Sequence, residues 1–372
     1  MKIAILSCFY PYRGGIAQFN ANLTLELGNS HTVQAFNFKR QYPGILFPGK
    51  TQFVTEEDKA IPIESTPVLD TINPLSYISS AKLIRQWEPD LLIMRYWMSF
   101  FGPSLGYVAR HLNPRTKVIS ILDNVVPHEK RFIDKPFTKY FLGGSDGFVV
   151  LSESVGKDLL QIKKDAHYIT IPHPVYDHFG EKTARAEAES KLGIDPGKKN
   201  LLFFGLIRDY KGLDILIDAF AMLDDSYQLV IAGEPYGSFE KYSRQIETSP
   251  AKARIKLFNR YIDDTEVALF FSSADLTVLP YRTATQSGIS AISYHFGVPL
   301  LTTDVGGLKE AVEEPGTGIV VDYPDSSVVA DGILRFFTEG RQEEYIANIE
   351  KHKQQLSWNS FANKLIDFYN TL

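Results

Sequence analysis

The stretch NLLFFGLIRDYKGLDILIDAFAML, at residues 200–223, changes from a strand-like to a helix-like pattern within a few residues. A short apolar run is followed by a glycine, and apolar residues then recur at helical spacing from Leu213 to Phe220. The stretch therefore predicts a strand, a tight turn and an amphipathic helix. The first N–H groups of such a helix lack internal partners and lie at the positive end of its dipole, so the turn suits a phosphate. Arg208 and Lys211 add two cations there; the alternative is that both are solvated loop charges.

The composition indicates a globular chain with more than one domain. The chain has 372 residues, which is more than one ordinary hydrophobic core accommodates and suits two domains. Its content of 44% hydrophobic and 22% charged residues is typical of a globular protein. No uninterrupted apolar run approaches the roughly 18 residues that a membrane-spanning helix needs. The apolar run at the start of the sequence reads as a first strand, because no small-residue cleavage site follows it. A single cysteine, Cys8, argues against a disulfide framework and a cysteine metal cluster, and favours a reducing, cytoplasmic compartment.

The net charge of −5 hides a difference between the two halves of the chain. Residues 1–176 carry 19 Lys and Arg against 15 Asp and Glu, whereas residues 177–372 carry 20 against 29. The excess of four cations in the first half is too small to indicate nucleic-acid binding. It is compatible with approach to an anionic membrane surface.

Strand-like and helix-like segments alternate along both halves, which predicts an α/β fold with two doubly wound, Rossmann-like parallel sheets. A polar, charged stretch near residues 174–198 marks the boundary between domains at 1–176 and 177–355. In the first domain the pattern predicts a loop over 38–53 before the next helix, and in the second it predicts a helix over 236–247. We expect ligands at the carboxyl ends of the strands, in a cleft between the lobes.

Two turns of the first half carry candidate site residues. Gly14 and Gly15 lie in the first predicted turn, where glycines allow the backbone to approach a ligand closely. Asp123 and His128 lie in the turn DNVVPHE that follows a buried strand, and both can exchange protons at a suitable pKa. The alternatives are that the glycines simply form a turn, that Asp123 caps a helix and that His128 is a surface residue.

A third candidate turn follows a strand in the second half. Its small polar residues offer hydroxyl, amide and backbone N–H groups at a predicted helix start, although they could equally be helix caps. A Gly-Gly turn comes next, before a helix that bears Glu310. The residues of the third turn are Thr285, Gln286, Ser287 and Gly288.

Four segments taken together resemble family-4 retaining glycosyltransferases of the GT-B fold, which transfer a sugar from a nucleotide diphosphate sugar. The resemblance covers nearly the whole chain and implies an N-terminal acceptor-side lobe, a C-terminal donor-binding lobe, and a last helix at about 356–372 that packs back on the first lobe. The segments are FFGLIRDYKGLDILIDAF, LPYRTATQSGISAISYHFGVPLLTTDVGGLKE, DNVVPHEKRF and IPHPVYDHF.

The resemblance also implies roles for the residues in the turns. Arg208 and Lys211 would neutralise the donor diphosphate, and the Gly14-Gly15 turn would lie against the donor phosphates or sugar. The turn at 285–288 would contact the sugar or phosphate. Retention in this family is usually explained by front-side attack, with the leaving phosphate taking the proton of the acceptor. Neither a metal ion nor another cofactor is then expected.

Two departures from the family pattern stand out. Many members carry two glutamates eight residues apart, and the corresponding positions here are Ala284 and Ile292. The Ala-Thr-Gln-Ser-Gly turn therefore predicts a subgroup in which ribose recognition is unassigned. The family often has a histidine where this chain has Asp123, so the sugar-facing contact would pass to Asp123 or His128.

The acceptor is expected to be a glycan or a lipid-linked molecule, in the synthesis of a cell-surface polysaccharide or glycolipid. Residues 38–50 and 129–142 mix cations with aromatic and aliphatic side chains, which is typical of segments at a membrane interface. A peripheral position on the inner face of the membrane is one interpretation, and packing of these segments within their own lobe is the other. Two other functions stay open: a nucleotide-sugar epimerase on the same fold, and a non-catalytic subunit that binds nucleotide sugars.

Overall fold

The computed structural model describes residues 1–43, 52–54, 60–125, 132–175, 179–285 and 287–372. The chain divides into two units, one formed by Met1–His173 with Ser357–Leu372 and the other by Pro174–Leu356. Each unit is built on one parallel sheet, with seven strands in the first and six in the second. The predicted α/β fold with two doubly wound parallel sheets is confirmed.

The strands of the first sheet lie in the order β3-β2-β1-β4-β5-β6-β7, and those of the second in the order β10-β9-β8-β11-β12-β13. The first sheet contains β1 (Lys2–Leu6), β2 (Thr32–Arg40), β3 (Ser65–Asp70), β4 (Leu91–Tyr96), β5 (Lys117–Leu122), β6 (Gly147–Val150) and β7 (Tyr168–Thr170). The second contains β8 (Lys199–Phe204), β9 (Tyr227–Ala232), β10 (Ile255–Phe258), β11 (Leu276–Leu279), β12 (Leu300–Thr303) and β13 (Gly318–Val321).

Helices connect the strands and cover the sheets. They are α1 (Gly15–Gly28), α2 (Pro74–Trp87), α3 (Gly102–Arg110), α4 (Asp134–Leu142), α5 (Glu153–Ile162), α6 (Arg185–Leu192), α7 (Leu213–Ala221), α8 (Glu240–Thr248), α9 (Val267–Ser273), α10 (Gly288–His295), α11 (Gly307–Val312), α12 (Ser326–Thr338), α13 (Gln342–Lys353) and α14 (Trp358–Tyr369). Within the described residues, no helix has both the length and the apolar character needed to cross a membrane.

Apolar residues of the central strands are buried on both faces of their sheets. In β8, Leu201 and Phe203 belong to one buried cluster, whereas Leu202 and Phe204 belong to another. Successive side chains of a strand point to opposite faces, so the uninterrupted run LLFF fills two cores at once. This is why the strand at residues 199–204 reads as continuously apolar in the sequence.

The last helix belongs to the first unit. Trp358 and Phe361 of α14 are buried in the same cluster as Ile3 and Ile5 of β1. Phe19 of α1 meets both aromatic rings edge-on, with ring centroids 5.0 Å from Trp358 and 5.3 Å from Phe361. The chain thus returns to its first sheet after completing the second.

The sequence analysis missed one strand, and one predicted helix begins later than expected. The strand β3 was missed; it lies at the sheet edge, where Pro67 removes a hydrogen-bond donor and the register with β2 is irregular. The helix predicted over 236–247 begins only at Glu240. Gly237 has φ +89°, a left-handed conformation that does not belong to an α-helix, so Tyr236 lies in a turn.

Candidate functional site

The strand order of the second sheet creates one place where the connections diverge to opposite sides. β8 pairs with β9 on one side and with β11 on the other. In open parallel sheets, ligands bind outside the carboxyl ends of the strands at such a switch point. The turns that follow β8 and β11 are those at 205–212 and 280–287, which contain most of the candidate residues of this unit.

The turn after β8 contains the two cations Arg208 and Lys211. Its residues Asp209–Lys211 form one short 3-10 turn, and Gly212 follows in a left-handed conformation with φ +68°. A side chain at Gly212 would collide with the carbonyl oxygen of Pro280, 2.0 Å away, so glycine allows this turn to pack on the turn after β11.

Lys211 carries an ammonium group in a buried position. The residue is only 8% exposed, and its Nζ lies above Gly205, 3.5 Å from where a Cβ would stand, and 5.6 Å from the ring centroid of Tyr281. Burial lowers the pKa of Lys211, with a smaller contribution from the neighbouring guanidinium of Arg208, from 10.5 to about 8. The charged form is therefore held in an unfavourable environment that an anion would relieve.

Arg208 is held against aromatic rings. Its guanidinium carbon lies 4.5 Å from the ring centroid of Tyr236 and 5.5 Å from that of Tyr210. In the part of the chain that the structure describes, no carboxylate lies within ion-pair distance of Arg208 or Lys211. A buried or half-buried cation normally has such a partner, so the pair is suited to an external anion.

The nearby acidic residues bind other cations instead. Asp214 accepts two hydrogen bonds from the guanidinium of Arg282, at 2.8 and 2.9 Å, and lies 3.0 Å from the ammonium of Lys241. Asp209 accepts a hydrogen bond from the hydroxyl of Tyr242 at 2.9 Å. These contacts hold both carboxylates away from Arg208 and Lys211.

The turn after β11 packs on the Gly-Gly turn that precedes α11. The N–H of Gly307 donates to the carbonyl of Thr285 at 3.1 Å, and a side chain at Gly306 would meet the carbonyl oxygen of Ala284 at 1.6 Å. Ala284 and Ile292, the positions of the absent glutamates, are buried at 8% and 7% exposure. The predicted contact residue Glu310 lies in the first turn of α11, directly after this packed pair of turns.

The N-terminus of α10 lies near Lys211, because Tyr281 is close to both Ser287 and the ammonium of Lys211. Ser287 caps the helix by accepting a hydrogen bond from the N–H of Ile289 at 3.3 Å, and its Oγ lies 3.4 Å from the hydroxyl of Tyr281. Gly288 is exposed, and a side chain there would meet nothing within 4 Å. The predicted residue Gln286 lies outside the described residues.

The remaining candidates belong to the first unit. Gly14 has φ +106° and, with Gly15, forms an exposed start of α1. Asp123 directly follows β5 and is 7% exposed, and its carboxylate accepts hydrogen bonds from Nε and Nη2 of Arg95 at 2.7 and 2.6 Å. His128 lies outside the described residues. The structure thus places Arg208, Lys211, Glu310 and the described residues of the turn at 284–288 in the second unit, and Gly14, Gly15 and Asp123 in the first.

Two site residues were missed by sequence reasoning. Tyr236 was assigned to a helix, and nothing in its neighbours pointed to Arg208. Arg95 had a usable signal, because an arginine inside the buried strand LLIMRY requires an acidic partner. Among the described residues, no group of three His, Cys, Asp or Glu side chains could hold a metal ion.

Comparison with known proteins finds a family match within the second unit. Residues 184–353 match the family described as Glycosyl transferases group 1. The chain is 26% identical over 202 residues to a D-inositol 3-phosphate glycosyltransferase of Corynebacterium urealyticum, covering 52% of this chain and 48% of that protein. It spans about half the length of several such relatives. It is also 23% identical over 381 residues to an uncharacterized glycosyltransferase of Methanocaldococcus jannaschii, covering 100% and 99% of the two chains.

Solved structures share the fold over the full length. Sucrose-phosphate synthase from Thermosynechococcus elongatus has a TM-score of 0.77 at 17% identity, covering 100% of this chain and 99% of its own. Anabaena HepE, solved in complex with UDP and glucose, has a TM-score of 0.74 at 17% identity with both chains fully covered. The expected fold is confirmed and the family match covers residues 184–353, while the Ala-Thr-Gln-Ser-Gly subgroup stays a prediction. Residues 184–353 thus match the group 1 glycosyl transferases, and the whole chain shares the GT-B fold of its structural neighbours.

Proposed function

We propose that this protein is a retaining hexosyltransferase that moves a sugar from a nucleotide diphosphate sugar to a glycan or lipid-linked acceptor. The observation that carries the proposal is the pair Arg208 and Lys211 at the switch point of the second sheet, without a carboxylate partner among the described residues. A diphosphate supplies the negative charge that this pair lacks.

The negative charge that develops in the proposed reaction lies on the leaving diphosphate, beside Arg208 and Lys211. As the bond between the anomeric carbon and the diphosphate oxygen breaks, the electron pair stays on the leaving oxygen. Arg208 and Lys211 stabilise that charge, and the N-terminus of α10 adds the positive end of a helix dipole. The acceptor oxygen attacks from the same face of the sugar, and its proton passes to the leaving phosphate.

A covalent glycosyl-enzyme finds little support in the first unit. Both carboxylate oxygens of Asp123 accept hydrogen bonds from Arg95, which disfavours Asp123 as a nucleophile. We propose Asp123 and His128 as sugar-facing residues instead. Contacts of Gly14, Gly15 and Glu310 with the donor remain part of the proposal.

A donor panel tests the function. Purified protein is mixed with UDP-, GDP- and ADP-sugars, and thermal stabilisation and release of the nucleoside diphosphate are measured. Arg208→Ala and Lys211→Ala should each lower turnover by about a hundredfold to a thousandfold. Arg341→Ala is the matched control, because that arginine pairs with Glu344 at the start of α13. Unchanged turnover in both site variants would refute the proposal, and stabilisation without turnover on any acceptor extract would identify a binding subunit.

We further propose that the acceptor side approaches an anionic membrane surface on its cytoplasmic face. Residues 132–142 belong to the described part of the segment at 129–142; there Phe132 is 94% exposed, and Lys135 and Lys139 are exposed on α4. Tyr140 is also exposed and stacks under the guanidinium of Arg110 at 4.2 Å. Of the segment at 38–50, residues 44–50 lie outside the described residues.

Neighbouring helices support the same interpretation. α2 and α3 contain no acidic residue, and the one acid of α4, Asp134, is buried against Ser99. α2 packs on α3 and α3 packs on α4, and Leu75 and Ile78 of α2 are 74% and 52% exposed. Cations and apolar side chains without exposed acids suit an anionic lipid surface.

Vesicle sedimentation tests this part of the proposal. The protein should pellet with vesicles of phosphatidylcholine and phosphatidylglycerol but not with phosphatidylcholine alone. Reversing both charges of α4, in Lys135→Glu with Lys139→Glu, should abolish pelleting. Reversing two exposed lysines elsewhere, in Lys351→Glu with Lys364→Glu, should not. Equal pelleting of the two double variants would contradict the assigned surface.

A further inference from the structure

Tyr236 lies over Arg208 although the two residues belong to different turns. The guanidinium carbon is 4.5 Å from the ring centroid of Tyr236, closer than the 5.5 Å to Tyr210. The two rings differ in their surroundings. Tyr210 is half-buried and meets Tyr281 edge-on at 5.8 Å, whereas Tyr236 is 43% exposed.

Backbone hydrogen bonds fix the position of Tyr236. The N–H of Tyr236 donates to the carbonyl of Ile207 at 2.8 Å, and the N–H of Ile207 donates to the carbonyl of Glu234 at 2.8 Å. With the bridge between Ile207 and Pro235, these bonds continue the pairing of β8 and β9 beyond the ends of both strands. Main-chain hydrogen bonds therefore hold the ring of Tyr236 next to Arg208.

An arginine without a carboxylate partner would otherwise sample many rotamers. Its side chain can carry about 2 kcal/mol of rotamer entropy, which is lost when it is ordered on a ligand. A cation placed over the face of a tyrosine is attracted by the ring quadrupole. Contact with Tyr236 therefore orders the guanidinium before the diphosphate arrives.

We propose that Tyr236 is a positioning residue that pre-orders Arg208 for the leaving diphosphate. The inference rests on the proposed role of Arg208, and it assigns to Tyr236 no contact with the base or the sugar. The aromatic ring is the part that acts, and the hydroxyl is dispensable. Because the ring is exposed and its turn is held by main-chain bonds, its replacement should leave the second unit folded.

Calorimetry with two anions separates this role from stacking on a nucleobase. Inorganic pyrophosphate has no base, and the nucleoside diphosphate chosen by the donor panel has one. Tyr236→Leu should weaken the binding of both by about threefold to tenfold, whereas Tyr236→Phe should bind both as the wild type does. Tyr323→Leu is the control, because Tyr323 is 67% exposed on the same unit.

A double-mutant cycle tests whether Tyr236 acts through Arg208. In an Arg208→Ala background, Tyr236→Leu should have no further effect on the binding of pyrophosphate. Additive losses, or a loss in Tyr236→Leu confined to the nucleoside diphosphate, would overturn the inference and leave the role of Arg208 intact. If neither anion binds the wild type, or if Arg208→Ala binds both anions unchanged, the proposed function itself fails.

Discussion

Replacing Lys211 by methionine is expected to stabilise the substrate-free protein while removing its affinity for donors. Burial lowers the pKa of Lys211 from 10.5 to about 8. That difference of about 2.5 pKa units corresponds to roughly 3 kcal/mol of unfavourable free energy for the charged form at pH 7, at about 1.4 kcal/mol for each unit. Methionine keeps an unbranched apolar stem and fills similar space without a charge. We expect a gain of about 1–3 kcal/mol in the free energy of unfolding.

The pH dependence of stability identifies the cause of that gain. Because the pKa of Lys211 is lower in the folded protein, the unfolded chain binds more protons between pH 8 and 10.5. The free energy of unfolding of the wild type should therefore rise with pH in that window, as the destabilising charge is lost. The Lys211→Met variant lacks this contribution, so its advantage should be full below pH 8 and shrink toward pH 10.5.

The assay must report on the second unit. All three tryptophans, Trp87, Trp97 and Trp358, belong to the first unit, so their fluorescence does not follow the region around Lys211. Hydrogen exchange of the amides of β8 at several pH values gives the local free energy of opening. Lys351→Met replaces an exposed lysine and serves as the control. A variant at position 211 that is less stable than the wild type at pH 7, or whose advantage does not shrink above pH 8, would refute the reasoning.

Three further changes have defined outcomes. Donor affinity should be constant below pH 8 and fall between pH 8 and 9, as Lys211 loses its proton. Calorimetry at fixed ionic strength measures this affinity. Gly306→Ala should destabilise the second unit by about 2 kcal/mol or more and weaken donor binding at least tenfold, because the added Cβ would stand 1.6 Å from the carbonyl oxygen of Ala284. Gly288→Ala is the control and should leave the stability of that unit unchanged in thermal unfolding. Arg95→Met should cost the first unit roughly 3 kcal/mol or more in urea unfolding monitored by tryptophan fluorescence, since it breaks the buried ion pair between Arg95 and Asp123.

The parts of this structure that follow from local pattern could be predicted from the sequence. The run LLFF and the helical spacing after it place Arg208 and Lys211 in a turn, because both signals lie within one short stretch. The edge strand β3 has no such signal, since its pairing with β2 depends on residues about 30 positions away. The contact of Tyr236 with Arg208 is likewise non-local, because it arises from main-chain bonds between two turns.

Sequence alone also could not show which cations pair with the acidic residues near Arg208 and Lys211. Asp209 and Asp214 are the acids nearest to Lys211 along the chain, and spacing alone does not show which cations they bind. In the fold, Arg282 from the turn after β11 and Lys241 from α8 bind these carboxylates. Neither contact is visible in a linear reading, because each joins segments separated by 27 or more residues.

The distribution of acids bears directly on what the site binds. Apolar residues stand at Ala284 and Ile292, the positions at which the family resemblance implies glutamates, and both are buried. Because the nearby aspartates are bound to other cations, an anion bound beside Lys211 would offset the free energy lost by burying its ammonium. On the proposed role of Lys211, donor binding and the stability of the second unit would be coupled through this side chain. A ligand present at a hundred times its dissociation constant would add about 2.7 kcal/mol to the free energy of unfolding. This gain is comparable to the free energy lost by burying the charged Lys211 in the ligand-free protein.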